Sequence, residues 1–343
     1  MGASEISSSN DSVYPNLEEI LKQRTRGILE RFGEAAVSEV EEPYLREMLE
    51  AVKKYWNDTF RPALVSYSCE AVGGNPEQAM DAGLMLTLAS SGFGVHDDIL
   101  DRSLHKHFRR TVLGLYGMDG ALLVGDLLIA KGWTVIHEIA RKTENPRMLA
   151  DIVKTYGKLS IEVCEAELME TLCRKKLDTN LEYYQNILWK AMAEMEACTK
   201  IGALIGSGQA VDVEAIGEFG RGLGFISRLG DELEDCLNNK GALLPRIENE
   251  SLPLPLLYAA NSSKETYAKI KKIIEKPTIT PKDSKMLLEY CFETGAFDYV
   301  QTLAKKKEGE ASRKLCTLKS SVARDVLSFM IHRSYTRVVN FCI

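Results

Sequence analysis

Histidine and paired cysteine are scarce in this chain. The five histidines are scattered, and the eight cysteines contain no C-x-x-C pair and no His spacing that zinc uses. Zinc fingers, zinc ribbons and thioredoxin-like redox motifs are therefore excluded. With no secretory leader pattern ahead of them, the cysteines are expected to be reduced, mostly buried thiols of a cytoplasmic protein. Basic excess is missing too. Lys and Arg number 43 against 49 Asp and Glu, a net charge of −6, and a field of that sign attracts neither nucleic acid nor an anionic bilayer. No segment of useful length alternates like a strand, and no internal repeat is visible. No apolar run is expected to reach membrane-spanning length, so no stable membrane anchor is expected. Met1-Gly2 begins like an acylation signal, but Ile6 stands where a hydroxyl residue is required, and Cys342 is too near the end for prenylation.

What is present is helix. The chain has 343 residues, 45% of them hydrophobic, enough for a large core. The length allows two domains, but the uniform pattern favours one helical domain over 13–343 behind a disordered, Ser-rich segment at 1–12. Leu17, Ile20, Leu21 and Ile28 recur at helical spacing after Pro15. Arg61-Pro62 opens a further helix that Gly73-Gly74-Asn75-Pro76 ends. From Ala79, AMDAGLMLTLASSGFGVHDDILD is apolar or small on nearly every face until its aspartates, the pattern of a helix buried at the centre of a bundle. More helices are signalled from Asp119, Pro146 and Thr179, where Thr179 and Glu182 match a capping box. Gly206 and Gly208 precede another.

The chemistry is concentrated in two acidic clusters. Asp97, Asp98 and Asp101 form a DDxxD run, which on a helix puts Asp97 and Asp101 on one face with Asp98 beside them. Such a patch repels itself unless a cation neutralises it. Hard carboxylate oxygens at this density suit Mg²⁺, which uses one or two protein carboxylates to hold a substrate phosphate. The second cluster is Asp231-Glu232-Leu233-Glu234-Asp235, weak alone because helix surfaces often carry such runs. Two acidic helix faces, each next to an apolar stretch, can oppose one another across a bundle and hold metal between them.

These residues stand in an ordered series: Arg61-Pro62, Glu70-Ala71-Val72-Gly73-Gly74-Asn75-Pro76, HDDILD at 96 to 101, Tyr116-Gly117, Gly125-Asp126-Leu127-Leu128, Lys190, Gly202-Ala203, Gly220-Arg221, Gly224 and the DELED cluster. From about Arg61 to Pro255 the chain resembles the trans-isoprenyl diphosphate synthase, or polyprenyl synthetase, family. The spellings RPALVSYSCEAVGG and GALLVGDLLIAKG look closest to archaeal members. The resemblance implies an all-α fold, an isoprenoid-synthase-type helical bundle around a central cavity, and a homodimer. It also implies a Mg²⁺-dependent prenyltransferase that ionises an allylic prenyl diphosphate for attack by isopentenyl diphosphate, as geranyl, farnesyl, geranylgeranyl and geranylfarnesyl diphosphate synthases do. Asp97, Asp98, Asp101, Asp231, Glu232 and Asp235 would hold metal. Asp97, Asp98, Asp231 and Lys190 would carry the ionisation.

The departures concern the second substrate. The family binds the isopentenyl diphosphate group with a GGKRxRP segment, a His seven residues before the first Asp, and an RRG after the first motif. Here those positions read Trp56-Asn57-Asp58-Thr59-Phe60-Arg61-Pro62, Ser90, and Lys106-His107-Phe108. Arg61 survives, Lys106 keeps the charge, His107 keeps it conditionally, and Asp58 reverses it. Replacing a phosphate-binding Lys by Asp removes one charge-assisted contact and adds a repulsion, each on the order of 1–3 kcal/mol when desolvated. Arg109 and Arg110 are candidates to replace the missing cations. Arg228 stands one turn before the second motif as a further phosphate donor.

Phe93, one turn from Asp97 with Ala89 and Met85 deeper along the same face, reads either as ordinary core or as the floor that limits products to short or medium length. Lys190 reads as a phosphate ligand or as a snorkelling side chain. Among Glu162, Glu165 and Glu167 the family resemblance favours Glu167 as a substrate-lining group. Three activities fit: chain elongation, class I terpene synthesis from the allylic substrate alone, or a non-catalytic regulatory subunit of a prenyl synthase.

Overall fold

A computed structural model describes residues 16–106, 109–237 and 243–341. The expected disordered segment at 1–12 lies outside them. Helices follow one another as α1 Leu17–Val37, α2 Pro43–Tyr55, α3 Phe60–Ala71, α4 Met80–Leu100, α5 Val112–Lys142, α6 Pro146–Leu172, α7 Leu181–Ala191 and α8 Ala193–Ile205. After these come α9 Ala210–Leu237, α10 Leu243–Asn249, α11 Leu254–Ser262, α12 Lys264–Ile274, α13 Pro281–Glu293, α14 Ala296–Leu315 and α15 Val322–Asn340. Their contacts group into two compact units. The first comprises Met1–Gly157, Met195–Gly220 and Lys314–Met330, the second Lys158–Glu194, Arg221–Arg313 and Ile331–Ile343.

In the first unit α4 is the central helix, as its lack of a polar face requires. Met85, Leu88 and Ala89 are fully buried there, and on α3 Ala63, Leu64 and Val65 are too. Each large side chain so buried contributes about 1.5–3 kcal/mol. Small residues let α5 come close: a Cβ on Gly92 would stand 2.6 Å from the Gly125 carbonyl oxygen. An alanine there forces the two helices apart.

Three sequence expectations change. The helix signalled from Asp119 begins earlier, at Val112, and bends at Gly117, whose φ of 76° only glycine adopts freely. α5 is also long and apolar enough to cross a membrane, with 33% of its most apolar stretch buried, so the expectation that no segment reaches that length is corrected. Asp119 and Asp126 interrupt the apolar run in sequence without shortening the helix. Thr179 does not cap α7. Asn180 does, accepting from the Tyr183 N–H at 3.0 Å, while the Thr179 hydroxyl donates to the Lys176 carbonyl.

Among the described residues one short two-stranded sheet interrupts the helices: β1 His105–Lys106 pairs antiparallel with β2 Arg109–Arg110. Its base is fastened where the Thr111 hydroxyl donates to the Ser103 carbonyl at 2.6 Å and the Thr111 N–H to the Leu104 carbonyl at 3.1 Å.

Candidate active site

The first acidic motif ends α4, with Asp101 as its C-cap residue. Helix carbonyls leave partial negative charge at that end, and the last turn carries no basic residue, so three carboxylates there need a cation from elsewhere. The hairpin supplies it. Arg102, at a left-handed φ of 54°, turns the chain back, and the Lys106 ammonium comes to rest 2.8 Å from Asp97 Oδ2 and 2.8 Å from Asp98 Oδ1. Burial opposes the charge on Lys106, but Asp97 and Asp98 outweigh it and hold the ammonium above its ordinary pKa. Burial pushes the Asp98 carboxyl up despite Lys106.

The other expected residues of this unit divide by charge balance. Arg61 Nη1 lies 2.8 Å from Asp58 Oδ2, and Asp58 Oδ1 also accepts from the Phe60 N–H at 2.8 Å. The cation that survives from the family pattern is thus held by the aspartate that departs from it. Arg109 stacks on the Tyr55 ring, 4.5 Å from its centroid. Among the described residues Arg109 and Arg110 form no ion pair. Ser90 is buried on α4 with its hydroxyl unpartnered, and Phe93 is half-buried. His107 lies outside the described residues. His96 Nε2 sits 3.3 Å from the Leu122 carbonyl oxygen and 3.4 Å from Asp126 Oδ1, so it packs and orients.

The second acidic motif closes α9 in the second unit, and there arginines take the place of lysine. Arg337 of α15 pairs with Asp231 at 2.8 Å and with Glu234. Arg246 of α10 pairs with Glu232 at 2.9 Å and with Asp235 at 2.7 Å. Glu232 is 0% exposed. Its Oε1 accepts from the Tyr184 hydroxyl at 2.6 Å and from Arg246, and its Oε2 accepts from the Leu254 N–H at 2.9 Å. Glu232, expected as a metal ligand, is here the buried counter-ion of Arg246, and both its oxygens accept hydrogen bonds.

The expected phosphate donors of this unit carry acids as well. Lys190 donates to Glu165, Arg228 donates to Glu170 at 3.0 Å, and Arg221 donates to Glu162 at 2.5 Å. Glu167 lies half-buried on α6. Glu170, Tyr184, Arg246 and Arg337 were not singled out in the sequence. For the α6 acids the spacing of Glu162, Glu165 and Glu170 was the available signal, whereas Arg246 and Arg337 have no local signature. Among the described residues no three His, Cys, Asp or Glu side chains converge as a ready-made metal cage. For Mg²⁺ that is no obstacle, since substrate phosphates and water complete its shell.

The end of α4 and the hairpin thus bring carboxylates, an ammonium and two guanidinium groups together in a helical protein. The polyprenyl synthetase family profile matches residues 42–291, and the chain belongs to that family. It is 28% identical over 313 residues to geranylgeranyl diphosphate synthase of Methanosarcina mazei, covering 88% of this chain and 95% of that one. To the geranylfarnesyl diphosphate synthase of the same organism it is 26% identical over 239 residues, 68% of this chain and 77% of the other. The crystal structure of geranylgeranyl pyrophosphate synthetase from Pyrococcus horikoshii Ot3 superimposes with a TM-score of 0.84 at 26% identity, over 94% of this chain and 98% of that one. The archaeal likeness of the motifs agrees with these relatives.

Proposed function

We propose that this protein is a trans-prenyltransferase that condenses an allylic prenyl diphosphate with isopentenyl diphosphate and releases a short to medium chain product. Geranylgeranyl, geranylfarnesyl and farnesyl diphosphate synthases are among the proteins it resembles in sequence. The observation that carries the reading is the cation shared by Asp97 and Asp98, two carboxylate oxygens directed at one point. A donor set of that kind fits Mg²⁺. Asp97, Asp98 and Asp101 would hold the metal on α4, and Asp231 and Asp235 on α9, where bound Mg²⁺ would neutralise the charge that develops on the departing diphosphate. With those carboxylates holding metal, Lys106 would be free to donate to a phosphate oxygen, and Lys190 and Arg228, now paired with Glu165 and Glu170, would donate likewise.

In the reaction the allylic C1–O bond breaks, with its electron pair leaving on the diphosphate. The isopentenyl double bond supplies the pair for the new C–C bond, and a neighbouring carbon sheds a proton to restore the alkene. α4 contributes a dry wall of Phe93, Ala89 and Met85, of which the last two are fully buried. Water is kept from the cation by these side chains.

Purified protein given Mg²⁺ and farnesyl diphosphate, with and without isopentenyl diphosphate, tests the reading by product analysis. Longer diphosphates that form only when both substrates are present are the expected result. Hydrocarbons or alcohols from farnesyl diphosphate alone would replace it with terpene synthesis, and no product at all with a regulatory subunit.

The protein is further proposed to be a cytoplasmic homodimer joined along α5. Its described cysteines are free thiols. On α5, Met118 is 62% exposed, Leu123 60% and Leu122 48%, an apolar stripe that a self-complementary partner would cover. Sedimentation of the wild type is expected at the dimer mass, and Leu123→Glu is expected to move it toward the monomer. A wild-type monomer, or a variant that stays dimeric, would reject this interface.

A further inference from the structure

Two arginines hold the second acidic motif, and they differ in burial. Arg246 is 2% exposed where it grips Glu232 and Asp235, whereas Arg337 is 39% exposed on Asp231 and Glu234. We propose that Arg337 is an autoinhibitory latch, a side chain of α15 that keeps Asp231 from a divalent cation until it swings aside. The inference rests on the condensation reading above and deepens it by adding a release step at the metal site of α9.

Geometry singles out this arginine. Its Nη1 lies 2.8 Å from Asp231 Oδ1, and its Nη2 pairs with Glu234 three residues on. The guanidinium fork therefore spans the turn of α9 that begins at Asp231, and one delocalised charge stands where a divalent cation would. Arg337 reaches that turn because the end of α15 lies along α9. The Ser334 and Ser227 hydroxyls meet at 3.1 Å one turn earlier, and a Cβ on Gly230 would stand 3.5 Å from Arg337 Nη1. Beyond the arginine, the Val339 carbonyl accepts from the Gln301 amide at 3.3 Å.

The contact is one that opens at little cost. Half-exposed ion pairs add little to stability, so a divalent cation competes with Arg337 on favourable terms. Arg246 is different, because its departure would strand the buried Glu232. Arg337 also has a second place to go. A cavity of about 350 Å³ adjoins it, bounded by Thr336, Asn340 and Phe341. The Phe341 ring centroid is 5.9 Å from the guanidinium carbon, within cation–π range. Two seats for one side chain make a two-state element, and competition for one Asp231 oxygen lets metal bias it. By reciprocity, whatever loosens the latch tightens metal binding by the same factor.

Mn²⁺ binding to the full-length protein, followed by electron paramagnetic resonance, tests the latch in an Asp97→Ala background that weakens the first motif. Arg337→Gln is expected to tighten the remaining Mn²⁺ site by about two- to fivefold, the scale of a half-exposed ion pair. Arg333→Gln removes the same charge from the same helix, but Arg333 forms no ion pair among the described residues, so this variant is expected to move the constant far less. Arg337→Lys, which keeps the charge without the planar fork, is expected to fall between the parent and Arg337→Gln. In the same background labelled with ¹⁵N-arginine, the Nε–H resonance that Arg337→Gln deletes is expected to shift as Mg²⁺ is added.

An Arg333→Gln effect as large as that of Arg337→Gln would make Arg337 one charge among others and overturn the latch. Unchanged Mn²⁺ affinity in Arg337→Gln, or an Arg337 resonance indifferent to Mg²⁺, would overturn it as well, and each of these results leaves the condensation reading standing. A metal-responsive Arg337 in a protein that makes no longer diphosphate keeps the latch and overturns the condensation reading instead.

Discussion

Asp97→Ala is expected to lower prenyl transfer by about 10³-fold, roughly 4 kcal/mol of transition-state stabilisation, with the thermal midpoint nearly unchanged. The two effects separate because of where the residue sits. Its side chain is 39% exposed at the end of α4, and its ion-pair partner Lys106 keeps Asp98 at 2.8 Å after the substitution. A half-exposed pair of this kind contributes about 0–1 kcal/mol to folding. Its carboxylate nevertheless supplies one of the two oxygens that converge on a single cation, and charge on a departing diphosphate has few other groups to neutralise it. Turnover of the variant within tenfold of wild type would remove Asp97 from the reaction. Equilibrium binding of Mn²⁺ in place of Mg²⁺, read by electron paramagnetic resonance, is expected to weaken in parallel.

Glu232→Ala is expected to behave in the opposite way, costing about 3–5 kcal/mol of unfolding free energy measured by urea denaturation. The carboxylate is fully buried and receives the Tyr184 hydroxyl, the Arg246 guanidinium and the Leu254 N–H. Its removal strands an arginine whose side chain is only 2% exposed, with Asp235 left as the close partner at 2.7 Å. Burial opposes the charge on Arg246, while Glu232 and its neighbours raise its pKa well above the ordinary value. That arginine stays charged and would lose its best counter-ion at a site closed to bulk solvent. A Glu232→Ala protein as stable as wild type but weak in metal binding would return this residue to the metal-ligand role that its place in the motif suggested.

The contrast between these two acids shows how far the sequence could be read. Asp97 and Glu232 occupy comparable positions in acidic runs at helix ends, and spacing alone treats them alike. The burial of α4 was legible because AMDAGLMLTLASSGFGV offers no polar face, whereas the close approach of α5 at Gly92 and Gly125 became visible only in the structure. The cap of α7 was misread by one residue. Thr179 and Asn180 both suit an N-cap, and the choice between them depends on the Thr179 hydroxyl finding the Lys176 carbonyl. The length of α5 was hidden because its acidic residues interrupt the apolar run without interrupting the helix.

By itself the sequence determined the helices, the two acidic clusters, the family and the erosion of the Arg61 site by Asp58, since all of these follow from residue type and spacings of a few positions. Only the tertiary structure decided which cation answers which acid. Lys106 returns to Asp97 along a hairpin, Arg246 reaches Glu232 across 14 positions and Arg337 reaches Asp231 across 106. Among the described residues Arg109 and Arg110 form no ion pair, and Arg109 stacks on Tyr55 instead. Such pairings arise from packing between elements distant in the chain, and local sequence carries no record of them.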